Sequence, residues 1–293
     1  MRSRVAACAL ALWMMPVWAD SEINELADAH PKGEVEISNV SGDVTVTGWD
    51  REQIEVKGNL GRGSERLQFV SEGRHTLIKV VIPRKSHNVS ASDLEIKVPE
   101  NSRVSVTGVS ADISVRNVKG ALRMQSVSGE IDAEVFAEDV EAKTVSGDFS
   151  IRGHDHPALL ALTTVSGSGR INGIRGELVV HSVTGDLDIT GSELERARLG
   201  TTNGDIEIKT GLAEGARFDM EAINGDLRLD IIGDVNAEFD IETFNGSIDS
   251  SFGPDATRIS KYTPGKELRF IHGDGDARVR IKTLNGSINL RGD

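Results

Sequence analysis

Cysteine is all but missing from this chain. Cys8 is the only one, so no disulfide can close within it. Stability has to come from buried apolar surface, which a chain of this length can supply. Aromatic residues make up only 4%. That scarcity argues against an outer-membrane barrel, whose strands carry aromatic girdles. It also removes most of the rigid anchors that binding surfaces use. Trp49 is the only tryptophan beyond the N-terminal segment and Tyr262 the only tyrosine. Positive charge is in deficit, with 33 Lys and Arg against 46 Asp and Glu and a net charge of −13. An acidic surface repels nucleic acid and anionic lipid and favours cationic partners, so no nucleic-acid partner is expected. There is no Gly-x-Ser-x-Gly, no Walker loop and no His-Glu-x-x-His, and Gly61-Arg62-Gly63 lacks the strand, third glycine and helix of a nucleotide site. No catalytic residue, metal ligand set or cofactor is assigned.

The N-terminus is different in kind. Arg2 and Arg4 precede an apolar stretch from Val5 to Val17, and Val17-Trp18-Ala19 ends just before Asp20. Charge, apolar core and small residue in that order read as a secretory signal peptide over residues 1–19. The stretch is shorter than the roughly 20 residues of a membrane span. An uncleaved anchor is the other reading, and Val5-Ala6-Ala7-Cys8 comes too early to serve as a lipoprotein box. The chain is therefore expected to be exported, to the periplasm in the first instance, with the extracellular space or cell surface as the other destinations. Loss of the two arginines moves the net charge from −13 to −15. Beyond the signal no apolar stretch approaches 18 residues, so the mature part is not expected to span a membrane. Residues 20–32 are expected to be a linker, with one helical turn at most.

One short pattern dominates what remains. It appears as Val40-Ser41-Gly42-Asp43, Val109-Ser110-Ala111-Asp112, Val127-Ser128-Gly129-Glu130, Val145-Ser146-Gly147-Asp148, Val165-Ser166-Gly167-Ser168 and Val183-Thr184-Gly185-Asp186. Asparagine then replaces the hydroxyl residue, in Asn203-Gly204-Asp205, Asn224-Gly225-Asp226, Asn245-Gly246-Ser247 and Asn285-Gly286-Ser287. Gly129, Gly147, Gly167, Gly185, Gly204, Gly225 and Gly246 are separated by 18, 20, 18, 19, 21 and 21 residues, the mark of a repeat architecture. Between the glycines, apolar and polar residues alternate: Leu122, Met124, Ile131, Ala133 and Val135 point one way, Arg123, Gln125, Asp132 and Glu134 the other. Period-two alternation means half-buried strands.

Asn-Gly between alternating strands is also a hairpin signal, so an antiparallel meander competes with a parallel β-solenoid. A two-residue hairpin at Ser128-Gly129 would set Val127 opposite Glu130 on the wet face, although that position is apolar in nearly every copy. A solenoid corner in which the apolar residue turns inward fits better, with glycine supplying positive φ and Ser or Asn bonding the local backbone. The fold class expected is all-β, a parallel solenoid with coils of 18–21 residues over 99–293. A less regular β-rich N-terminal cap over 33–98 runs continuously into it. Stacked coils would set Asn203, Asn224 and Asn245 in an asparagine ladder.

The chain resembles the bacterial putative-adhesin family of exported β-repeat proteins. Val44-Thr45-Val46-Thr47-Gly48-Trp49-Asp50, the strand end Leu94-Glu95-Ile96-Lys97-Val98-Pro99 and the serial Ser-Gly-Asp and Asn-Gly-Asp turns carry the likeness, over residues 33–290. The resemblance implies a β-helical fold, a cell-envelope setting and, for some relatives, a link to envelope stress. It brings no catalytic residues.

Three candidates for chemistry stand out. His154-Asp155-His156 has too few companions for a metal site, which wants about four ligands, and reads as an exposed loop. Gly273-Asp274-Gly275-Asp276 is one fragment of a calcium-binding β-roll turn, a motif that needs its nonapeptide in series, and reads as a degenerate corner. Glu130, Asp148, Asp186, Asp205 and Asp226, interrupted by Ser168, should form one acidic edge. Neighbouring acids there repel by only about 0.9 kcal/mol in water, so the edge is either a plain solvated corner or a collector of cations or cationic peptide. A non-enzymatic interaction scaffold that docks an envelope protein or cell-wall polymer is the leading functional reading. A carbohydrate-active β-helix enzyme would need clustered acids that do not stand out. A self-assembling scaffold would use the C-terminal coil, Thr283 to Leu290, as an open edge.

Overall fold

The computed structural model describes residues 21–83, 89–136 and 138–292. The segment expected to be a signal peptide, with Cys8, and the last residue, Asp293, lie outside them. No helix occurs among the described residues, and so none long and apolar enough to cross a membrane. In chain order the strands are β1 (Ser21–Asp28), β2 (Glu34–Trp49), β3 (Gln53–Leu60), β4 (Arg66–Glu72), β5 (His75–Val81), β6 (Asp93–Pro99), β7 (Arg103–Arg116), β8 (Leu122–Gln125), β9 (Ile131–Val135), β10 (Val140–Lys143) and β11 (Phe149–Gly153). There follow β12 (Pro157–Thr163), β13 (Gly169–His181), β14 (Leu187–Asn203), β15 (Ile206–Asn224), β16 (Leu227–Ile231), β17 (Ala237–Asn245), β18 (Ile248–Ser250), β19 (Thr257–Arg258), β20 (Lys266–His272), β21 (Ala277–Asn285) and β22 (Ile288–Gly292).

Pairing is parallel through the body of the molecule. On one face β5, β2, β7, β8, β10, β12, β13, β14, β15, β21 and β17 follow one another. On the other the order is β6, β2, β7, β9, β11, β13, β14, β15, β16, β22 and β18. Each coil thus lays one strand on each face, and the arrangement is solenoid-like. The period-two pattern explains the core: Leu122, Met124, Ile131, Ala133 and Val135 are all buried, as are most of their counterparts on the other coils.

The ends are built by detours. After β2 the chain runs outward through β3 and β4 and lays down the coil β5–β6, and β7 then returns to the far side of β2. The coil of residues 34–49 therefore belongs to the regular stack rather than to the cap expected over 33–98. The cap proper is β3 and β1, antiparallel beyond β6, together with β4 beyond β5. The segment expected to be a linker carries β1, with Ile23 buried. It reads poorly as a strand because it is an edge with little of its alternation buried.

At the other end β17 and β18 form the outer coil, antiparallel β20 covers β17, and β19 pairs with β20 in turn. Phe239, Phe252 and Phe270 close the core there, with ring centroids 4.7 to 6.0 Å apart. β21 and β22 then insert between the coil β15–β16 and the coil β17–β18. This corrects the expectation of an open C-terminal edge: Thr283 to Leu290 is paired on both sides. The insertion is matched in charge. Arg278, Arg280 and Lys282 lie opposite Glu238, Asp240 and Glu242 in register, with Arg278 and Lys282 ion-paired to Glu238 and Glu242.

Candidate functional site

At the repeated corner, chemistry of a single kind recurs on ten coils, from Val40-Ser41-Gly42 to Phe244-Asn245-Gly246. Its first position is a small residue turned inward: Ser126, Thr144, Thr164, Ser182, Thr201, Ala222, Thr283 and Thr243, all buried. Several hydroxyls donate to the carbonyl of the residue at the glycine position one coil back. Ser126 Oγ reaches Ala111 O at 3.0 Å, Thr283 Oγ1 reaches Gly225 O at 3.2 Å and Thr243 Oγ1 reaches Gly286 O at 2.9 Å.

The glycines form a column. A Cβ on Gly129, Gly147, Gly167, Gly185, Gly204, Gly225, Gly286 or Gly246 would sit 1.9 to 2.2 Å from a carbonyl oxygen of the adjacent coil, and on Gly42 2.3 Å from Ser92 O. Close approach of backbones is thus the common requirement. Positive φ, the reason expected from sequence, holds at only some of these positions, such as Gly42 at 107°.

The asparagines hydrogen-bond in series. Asn224 Nδ2 donates to Asn203 Oδ1 at 2.8 Å, Asn285 to Asn224 at 2.8 Å and Asn245 to Asn285 at 2.9 Å. Asn285 stands between Asn224 and Asn245 because of the inserted coil.

The acids after the glycines are engaged by the backbone. Asp148 Oδ1 accepts the N–H of Ser168, Asp186 that of Asp205, Asp205 that of Asp226 and Asp226 that of Ser287, at 2.7 to 2.9 Å. Asp112 does the same for Glu130 at 2.8 Å. Each carboxylate caps the next coil and keeps its charge at an exposed edge. Asp186→Ala should therefore cost about 1 kcal/mol, the worth of one such bond, whereas Asp186→Asn, which keeps the acceptor, should be nearly neutral. Thermal melts of the two variants read the difference.

The remaining position overturns an expectation. Val127 and its equivalents turn outward. Val109, Val127, Val145, Val165, Val183, Ile223, Leu284 and Phe244 are 45 to 47% exposed and Val40 is 37%. The residue before them takes the inward place, where a small side chain fits: Ser126, Thr243 and Thr283 use it to reach a carbonyl of the glycine column, Ala222 fills it without a polar group, and the Thr164, Ser182 and Thr201 hydroxyls are buried there with no hydrogen-bond partner. Asn39 and Ser41 pair with Gly108 and Ser110, which sets Val40 beside Val109. Hydrogen bonds from the following residue to the valine carbonyl carry the column on through Val127, Val145, Val165 and Val183. The pairing of Asn203, Asn224, Asn285 and Asn245 extends it through Thr202, Ile223, Leu284 and Phe244. The result is an apolar ridge ten coils long, at about 4.8 Å each. At its end lies a cleft of about 460 Å³ lined by Ile223, Phe244, Ile259 and Leu284 together with threonines, Glu221, Glu242 and Lys282.

The other candidates come to less. His154 stacks on Phe136 at 4.5 Å, and no group of three possible metal-binding side chains occurs among the described residues. Gly273-Asp274-Gly275-Asp276 is no corner. It lies at the turn between β20 and β21, where Asn236 accepts from Gly275 N–H and donates to Asp276.

Stacked coils with a corner that is structural at every position but one define a repetitive β-scaffold. The chain belongs to the Toastrack DUF4097 family, whose pattern matches residues 23–169 and again residues 133–291. Among solved structures it is similar to a putative adhesin from Bacteroides fragilis, with 11% identity, TM-score 0.45 and coverage of 93% of this chain and 98% of that one. It is similar also to a putative lipid binding protein from Parabacteroides distasonis, with 12% identity, TM-score 0.46 and coverage of 92% and 96%. No curated protein matches it.

Proposed function

We propose that this protein is a non-enzymatic interaction scaffold of the cell envelope, a parallel β-solenoid, exported by its N-terminal signal, that docks a partner protein along the ridge. The ridge carries the reading. Glycine, amide and acid each meet a need inside the stack, and so do several of the hydroxyls. The apolar position meets none that threonine would not, as Thr202 shows by occupying it. Nine apolar side chains in a line are more than scattered surface residues, and together they expose roughly several hundred Å², as much as the largest patches on ordinary monomers. A wall polymer rich in hydroxyls has little to offer such a row, whereas a protein with an apolar stripe does.

Proximity labelling in the native envelope tests this, comparing wild type with Val127→Ser/Val145→Ser/Val165→Ser. A partner labelled by the first and lost from the second is the expected result. Identical labelled sets, with the variant equally abundant and equally stable, would remove the ridge from the function.

A further inference from the structure

We infer that the ridge receives a basic amphipathic helix of the partner protein, with its apolar stripe on the valines and its lysines or arginines over the acid row. The inference rests on the docking role proposed above and specifies what docks. The two sides of the ridge differ. On one side, past the Ser, Thr and Asn positions, stand Asp43, Asp112, Glu130, Asp148, Asp186, Asp205 and Asp226, interrupted only by Ser168 and exposed. On the other side the outward residues next to the corner include Thr107, Gln125, Lys143, Thr163, His181 and Gly200, which carry little net charge. A partner must therefore present apolar groups in a line with cations along one flank.

Charge disfavours a second copy as the occupant, since the chain carries −13 overall and a copy would supply no cations for the acid row. Geometry favours a helix. A helical stripe repeats about every 5.4 Å and the coils about every 4.8 Å, so the two drift apart by one step only after about nine coils. A helix of about 18 residues, roughly 27 Å long, would span five or six coils with its side chains still in reach. An extended strand, whose same-face residues recur at about 6.7 Å, falls out of step within three coils.

The experiment titrates the whole protein against a fluorescent helical peptide of about 18 leucines and lysines, in which the lysines flank the leucine stripe, and against the same pattern with glutamate for lysine. The lysine peptide should bind and the glutamate peptide should not. Val127→Ser/Val145→Ser/Val165→Ser should weaken binding about tenfold. Asp148→Asn/Asp186→Asn/Asp205→Asn, which keeps the backbone caps, should weaken it similarly and flatten its salt dependence. Thermal melts confirm that both variants are folded. Binding of the lysine peptide unchanged by the valine substitutions overturns the inference, because attraction alone would then explain it. Equal binding of both peptides, or of neither, also overturns it. In those two outcomes the docking role stands or falls separately, on the proximity labelling.

Discussion

Removing residues 277–293 should abolish the folded state rather than shorten it. In an ordinary linear array the loss of a terminal repeat removes one interface. Here the coil β21–β22 is paired on both sides, so its loss opens two edges and a gap in the core. Val279, Ile281, Ile288 and Leu290, all buried, contribute on the order of 8 kcal/mol between them, comparable with the net stability of a domain. The gap cannot simply close. Bringing β15 against β17 would set Asp219 opposite Asp240 and Glu221 opposite Glu242, and like charges directly opposed destabilise a sheet. The truncated chain should be insoluble or lack a cooperative melt, as read by soluble yield and circular dichroism. A soluble, cooperatively melting product would show that the outer coil had restacked. Acid should loosen the same seam. The hydrogen bond from Lys282, joined by Arg269, holds the Glu242 carboxyl below the usual carboxylate range. Its contribution is whole above the ordinary carboxylate pKa and is lost as pH falls through the lowered value.

Gly167→Ala should destabilise by about 3 kcal/mol. Its Cβ would lie 2.0 Å from Gly147 O, a backbone atom fixed by coils on both sides. The stack would have to open locally, and every column beside the glycine would lengthen with it. Gly215→Ala is the contrast. Gly215 has φ +68° but nothing within 4 Å of the added carbon, so its cost should be only the left-handed conformation, about 1 kcal/mol. Chemical denaturation of the two variants measures both. Equal costs would mean that close approach is not what Gly167 secures.

Much of this molecule could be read from its residues, and the misreadings have specific causes. Strands and core follow from alternation, and the repeat follows from the glycine spacing. The corner was misread because hydropathy there is inverted: Ser126 goes in to satisfy a carbonyl and Val127 comes out. Two adjacent outward residues break the period on which the inward reading relied. The inserted coil was missed because Gly246 and Gly286 are 40 residues apart, which looks like a lapse in the repeat rather than a detour. A signal was there in the runs Glu238, Asp240, Glu242 and Arg278, Arg280, Lys282, whose equal spacing and opposite sign mark neighbouring strands. The acid row was legible as an edge, but its bonds to the next coil depend on stacking that no single repeat reveals.

The detours at the two ends also decide where the molecule can fray. A linear array normally unravels from its terminal repeats inward. In this chain the first full coil, β2, lies beneath β5–β6, and the last, β21–β22, lies beneath β17–β18. The outermost coils are made by mid-chain segments whose ends are both tethered. Opening the β17–β18 end therefore means peeling away a closed loop, whereas at the other end the edge strand β1, paired to β3 alone, can come away first.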